Sequence, residues 1–152
     1  MMQTELQSAI VVSPGGGDPW NVLGTAMRCK IGSEQTGGAY SIVENTIPPQ
    51  AGPPPHVHHN EDEIFYILEG EFEIRCGEQT FNARQGSIAL LPRNVPHAFR
   101  NIGEAEGKVL VTITPGGFEE FFAEASRELT TLPPDLEKLT ALARKYNVEF
   151  LM

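Results

Sequence analysis

The sequence predicts an all-β fold, a sandwich or barrel, followed by two C-terminal α-helices. Three observations carry that expectation. Through the first three-quarters of the chain the apolar runs are short and end in turn residues at near-even spacing, the rhythm of many short strands. The 152 residues include 12 prolines and 15 glycines, too many for long helices in that region. Beyond residue 116 the apolar period changes from two to the three-and-four spacing of an amphipathic helix. The length fits one domain over residues 1–152, with a barrel core over about 20–115 and a helical segment over about 116–147. Such a chain buries roughly two-thirds of the surface exposed when unfolded, so a core needs no staple.

"SPGGGDPW" opens as a turn; its three glycines are not followed by the Gly-Lys-Ser/Thr of a phosphate loop. "WNVLGTAMRCKI" reads as one strand, "GSEQTGG" as a turn and "AYSIVENTI" as a second strand rich in β-branched residues. "PPQAGPPP" lacks the N–H groups a ladder needs and forms a rigid, extended lead-in to the histidines. "EIFYILEGEFEIRCGEQTF" contains strands reversing at Glu69-Gly70 and again at Gly77-Glu78, both read as hairpins. "GSIALLPRNVPHAFRNI" and "GKVLVTITP" supply further strands. Phe118, Phe121, Phe122 and Ala125 form one helical stripe, read as core in preference to a ligand groove. Leu136, Leu139, Leu142, Ala143 and Tyr146 form another, with Pro133 and Pro134 at its start and Asn147 as C-cap. Both helices are expected on the outside of the sheet.

The net charge of −9 opposes association with nucleic acid or anionic lipid. No 18-residue apolar stretch occurs, and "MMQTELQSAIVV" lacks the basic and apolar regions of a leader, so the expectation is a soluble, cytoplasmic protein with no membrane partner. Cys29 and Cys76, 47 residues apart, read as free thiols, buried or half-buried.

Three of the four histidines stand within four residues, in "PPPHVHHNEDE". On an extended backbone His56 and His58 point to one face and Val57 to the other, which makes them a chelating pair; His59 has the other parity and stays off the site. Glu63, Phe65 and Ile67 share a face of the next strand, opposite Ile64, Tyr66 and Leu68. His97 lies 34 residues beyond Glu63 with Phe99 at its parity, a separation compatible with a neighbouring strand. Three imidazoles and a carboxylate suit a divalent first-row metal, Fe, Ni, Mn, Co, Cu or Zn, without choosing among them. The bland alternative is a polar interior that hydrogen-bonds an organic ligand. Glu61 and Asp62 read as a solvated acidic turn with no role.

These motifs resemble the cupins. His56, His58, Glu63 and Gly70 stand at the spacing of the first cupin motif, and Gly86, Pro92, His97 and Asn101 at that of the second. Two positions depart. Gln50 stands where a glycine precedes the first histidine, with Gly52 displaced by two, so the loop entering the site is expected to differ; Asn94 replaces the glycine after Pro92 and tolerates the same left-handed turn. The motifs span residues 50–101. The proline-rich lead-in, "ITPGGFEEFF" and "LARKYNVEFL" look like small single-domain cupins grouped as quercetin dioxygenase-like.

The resemblance implies a double-stranded β-helix (jelly-roll) barrel in which His56, His58, Glu63 and His97 bind one divalent metal. It implies a dioxygenase or related oxidoreductase acting on a small phenolic or enolisable substrate, with Glu63 a ligand or the general base. A metal-assisted isomerase or decarboxylase is the runner-up, and a non-enzymatic binding module the rival of another class. Phe65, Ile67 and Phe99 are the candidate pocket walls, or else ordinary core. A homodimer is expected, because Ile64, Tyr66 and Leu68 leave an outer face in need of cover.

Overall fold

The computed structural model describes residues 8–151; part of the N-terminal segment read for a leader lies outside them. Eleven strands and two helices run in the order β1 (Asp18–Val22), β2 (Thr25–Ile31), β3 (Ser41–Ile47), β4 (His56–His58), β5 (Asp62–Glu69), β6 (Glu71–Cys76), β7 (Gln79–Arg84), β8 (Ile88–Leu91), β9 (His97–Asn101), β10 (Gly107–Thr114), α1 (Glu119–Glu128), α2 (Leu136–Lys145) and β11 (Val148–Phe150). They form a six-stranded sheet, β1-β2-β3-β10-β5-β8, and a five-stranded sheet, β11-β4-β9-β6-β7. Every pairing is antiparallel. This is the all-β class with two C-terminal helices that the sequence predicts.

Period-two patterning builds the interior. Val43 and Ile47 of β3, Phe65 and Ile67 of β5, Phe72 and Ile74 of β6, and Val109, Val111 and Ile113 of β10 all point inward and are buried. Each such side chain contributes roughly 1.5–3 kcal/mol by leaving water.

The lead-in to β4 is pinned to β9. A Cβ on Gly52 would lie 1.9 Å from the Phe99 carbonyl oxygen, so only glycine fits there. Gln50 takes φ 65°, the left-handed conformation, and its N–H donates to the Asn101 carbonyl at 2.8 Å. Glutamine here adopts the left-handed geometry that glycine favours. Asn94 also takes a left-handed φ, 66°. Buried Asn101 is fully satisfied, donating to the Ile47 and Ala105 carbonyls and accepting from Gly103 N–H.

Four readings need correction. "WNVLGTAMRCKI" is a hairpin, β1 and β2, turning at Leu23-Gly24, both at positive φ; leucine is a poor signal for such a turn. Glu69-Gly70 is no hairpin, because β5 and β6 belong to different sheets and Gly70 passes the chain between them. Gly77-Glu78 does close the β6–β7 hairpin. The helices do not coat the outside of the sheet: Phe118, Phe121, Phe122 and Leu139 line the barrel's internal cavity, while α1 also packs on edge strand β1 through Phe122 and Trp20. Finally, β11 was not expected. Asn147, at φ 59°, ends α2 one residue past the C-cap Tyr146 and turns the chain into that strand.

Candidate metal centre

The four candidate ligands converge from both sheets. On β4, His56 and His58 share a face; His56 sits directly opposite His97 of β9, and Glu63 enters from β5 of the facing sheet. One ligand atom from each lies within 4.8 Å of all the others, and all four residues are buried. Two atoms each about 2.1 Å from one ion can stand no more than about 4.2 Å apart. Small side-chain rotations therefore bring the set to bonding distance.

Hydrogen bonds fix which nitrogen each ring presents. His56 Nδ1 lies 2.8 Å from the Pro54 carbonyl and His97 Nδ1 3.3 Å from the Val95 carbonyl. A carbonyl only accepts, so both Nδ1 atoms carry the proton and both Nε2 atoms, when neutral, offer a lone pair. His97 Nε2 then faces Glu63 Oε1 at 3.0 Å, and His58 Nε2 stands 3.4 Å from the same oxygen. Lone pair opposite carboxylate is repulsive unless a cation, proton or metal, lies between them.

Electrostatics favour the same occupant. Burial, reinforced by His97 and His58, lowers the His56 pKa to about 4, so its ring is neutral at ordinary pH, the form that binds metal. Burial pushes the Glu63 carboxyl up, but His58, the His97 hydrogen bond and the other rings outweigh it and hold Glu63 below the usual carboxylate range. Burial pulls His58 down, and the charges of Glu63 and Glu61 overcome that and hold it above the ordinary value. A carboxylate 5% exposed among imidazoles is a charge that needs a counter-ion. The donor set fits a divalent metal.

Glu61 overturns its reading as solvated. It is 8% exposed, and its Oε1 stands 3.5 Å from His58 Nδ1, placing a carboxylate behind a ligand. The bend at residues 59–60 re-aims it, which strand parity could not foretell. Asp62 is instead tied to Arg93 through its side chain and backbone N–H. His59 lies off the cluster, with Nδ1 3.0 Å from Asn94 Oδ1.

His56, His58 and Glu63 line a cavity of about 300 Å³ whose remaining wall is largely apolar and includes the rings of Phe65, Phe99, Phe118, Phe121, Phe122 and Phe150. Phe65 and Phe99 meet edge to face at 4.9 Å. Ile67, the third candidate wall, is buried in the core and does not line the cavity. Phe118 meets His58 edge-on at 4.5 Å and Phe150 meets His56 at 5.7 Å. The helical stripe is thus core and cavity wall at once. No lysine or arginine is among the described residues lining the cavity.

The two sheets and the buried three-histidine, one-glutamate cluster define the class: a double-stranded β-helix barrel with a metal-ready interior. Residues 43–113 match the cupin domain family model. An uncharacterised protein of Methanocaldococcus jannaschii, MJ1618, is 31% identical over 75 residues, 49% of this chain and 60% of that protein. The polyketide synthase CurC of Streptomyces cyaneus is 30% identical over 60 residues, 40% of this chain and 39% of its own length. The match thus spans less than two-thirds of each of these curated relatives. KdgF from Halomonas sp. has the same fold, with TM-score 0.66 at 18% identity over 74% of this chain and 99% of that structure.

No described helix is long and apolar enough to cross a membrane. Cys29 and Cys76 are half-buried free thiols. Burial, helped by nearby carboxylates, pushes the Cys29 thiol up to about 11, which keeps it protonated and unreactive.

Proposed function

We propose that the protein is a metal-dependent, dioxygenase-like enzyme acting on a small phenolic or enolisable compound. One observation carries the reading: His56, His58 and Glu63 of the metal-ready cluster face a largely apolar cavity with six phenylalanine rings in its wall. Flat rings pack well against such walls. With no lysine or arginine among the described lining residues, an anionic group of a substrate would be left to the metal alone. His56, His58 and His97 hold the ion, and Glu63 completes the set or leaves it to take the proton of the substrate hydroxyl. When bound, a divalent ion supplies Lewis acidity and open coordination positions, and a redox-active one adds electron transfer. CurC, named a polyketide synthase, is a relative whose description is in keeping with a ligand of this chemistry.

Oxygen uptake by protein loaded with Fe, Ni, Mn, Co or Cu, on catechols, flavonols and enediols, tests the reading. Uptake that falls sharply in Glu63→Gln, with metal retained, supports both the reaction and the base. Turnover without oxygen consumption moves the reading to a metal-assisted isomerase or decarboxylase. Ligand-induced stabilisation with no turnover across the panel makes it a binding module.

The free thiols suit a reducing compartment such as the cytoplasm. A second copy of the chain is the expected partner at the outer face of β5 and β8. There register pairs Ile64 with Leu90 and Tyr66 with Ile88, and Tyr66, Ile88 and Leu90 are 42%, 70% and 62% exposed. Sedimentation of wild type against Ile88→Glu, with a dimer converted to monomer, is the check; an unaltered mass removes this face as the contact.

A further inference from the structure

Of the polar residues lining the cavity outside the metal cluster, Thr25, Asn45 and Gln50, Asn45 alone has a buried oxygen with no described partner. Asn45 is 6% exposed and lines the cavity, and its Oδ1 accepts no hydrogen bond from any described residue. It occupies one of the four inward positions of β3, with Ser41 at the level of the metal cluster and Val43 and Ile47 on either side of it. A buried, unpaired amide oxygen is costly, so its retention calls for a partner.

Sheet register locates it relative to the metal centre. Asn45 lies in the interior row Met27, Asn45, Val109, Ile67, whereas Glu63 lies in the row Ser41, Ile113, Glu63. Two rows are four residues, about 13 Å of strand at 3.3 Å per residue. Between them lies the row of Val43, Val111 and Phe65, which is apolar. The sheet thus presents metal-binding groups at one level, an apolar belt in the middle and an unpaired, buried acceptor at another level.

We propose that Asn45 is a specificity determinant that accepts a hydrogen bond from a hydroxyl on the end of the substrate remote from the metal. The substrate is then an elongated, near-neutral molecule: a phenolic or enolic oxygen at the metal, an apolar ring body against Phe65 and its neighbours, and a donor at the far end. This rests on the reading of the site as one for phenolic ligands and adds the second polar anchor. Discrimination follows from the same asymmetry: a ligand lacking the far donor leaves Oδ1 unpaired and bound dry.

The test uses zinc-loaded full-length protein and two probes, 4-phenylcatechol and 4-(4-hydroxyphenyl)catechol, which differ only in the distal hydroxyl. Calorimetry on wild type should show the hydroxylated probe binding about fivefold to tenfold tighter. Asn45→Val should erase that gap while leaving the affinity for 4-phenylcatechol unchanged or improved, and its ligand-free melting temperature should not fall. Asn45→Ala provides the same comparison if the valine variant does not fold. Equal affinities in wild type, or a gap that survives both substitutions, overturn the role of Asn45 and leave the phenolic reading standing. Loss of folding in both variants makes Asn45 part of the fold and overturns it as well. Binding of neither probe overturns the phenolic reading and this inference together.

Discussion

The ligand face and the C-terminal cap enclose the same cavity but are built differently. On the ligand face, β4, β5 and β9 present four polar side chains whose positions follow from cross-strand register, His56 opposite His97 being the simplest case. Their partners are backbone carbonyls and one carboxylate. In the cap, α1, α2 and β11 present aromatic and aliphatic side chains held by packing, with Lys145 at the end of α2 and its C-cap Tyr146 joined to Glu124 of α1. A ligand face that depends on atom positions tolerates no change of donor, whereas a packed wall tolerates changes of shape at a graded cost.

The largest expected effect lies on the ligand face. His97→Ala should reduce bound metal from about one ion per chain to near none, with far-UV circular dichroism unchanged. Retention of stoichiometric metal by mass spectrometry on untagged protein would sink the four-ligand centre. Phe118→Ala should do the converse: about 3 kcal/mol of stability lost in urea unfolding, with metal content preserved. If metal disappears along with stability, the two regions are not separable and the comparison breaks.

A smaller effect sharpens the boundary between them. Glu61→Gln keeps the shape but removes the charge behind His58, so metal affinity should fall about 10–100-fold while the melting temperature of the metal-free protein barely moves. Unchanged affinity in a competition titration with a chelator would reduce Glu61 to a bystander.

The smallest effect concerns where the cap joins the sheet. Glu119, at the start of α1, accepts from the Ser33 and Gly117 N–H groups at 2.7 and 2.8 Å. Burial pushes its carboxyl up, but these bonds prevail and hold it below the usual range. A folded-state pKa below the unfolded one means that this stabilisation is complete above about pH 4.3 and is lost as pH falls through the depressed value. Glu119→Gln should therefore lower stability near neutrality and flatten the acid decline in thermal melts. A parallel, undiminished acid decline would show that other carboxylates control it.

The fold class, the alternating core strands, the hairpin at Gly77-Glu78, both helices and the membership of His56, His58, Glu63 and His97 in one cluster were all legible in the chain. All but one rest on a local period or a short spacing, which local geometry translates directly into a face; His97, 34 residues beyond Glu63, joined the set through the resemblance to the second cupin motif. The Leu23-Gly24 turn, the passage between sheets at Gly70 and strand β11 were not legible, because each depends on which strand lies alongside.

The sequence by itself therefore determined the donor set and its barrel, since parity on an extended strand pairs His56 with His58 and motif spacing adds Glu63 and His97. Only the tertiary structure decided that Glu61 backs His58, that the stripe of phenylalanines lines the cavity and that Asn45 Oδ1 has no described hydrogen-bond donor. Those facts concern residues far apart in the chain, or on opposite sides of a bend, and contact across such separations is set by sheet register and by the way the C-terminal segment folds back onto the barrel's mouth.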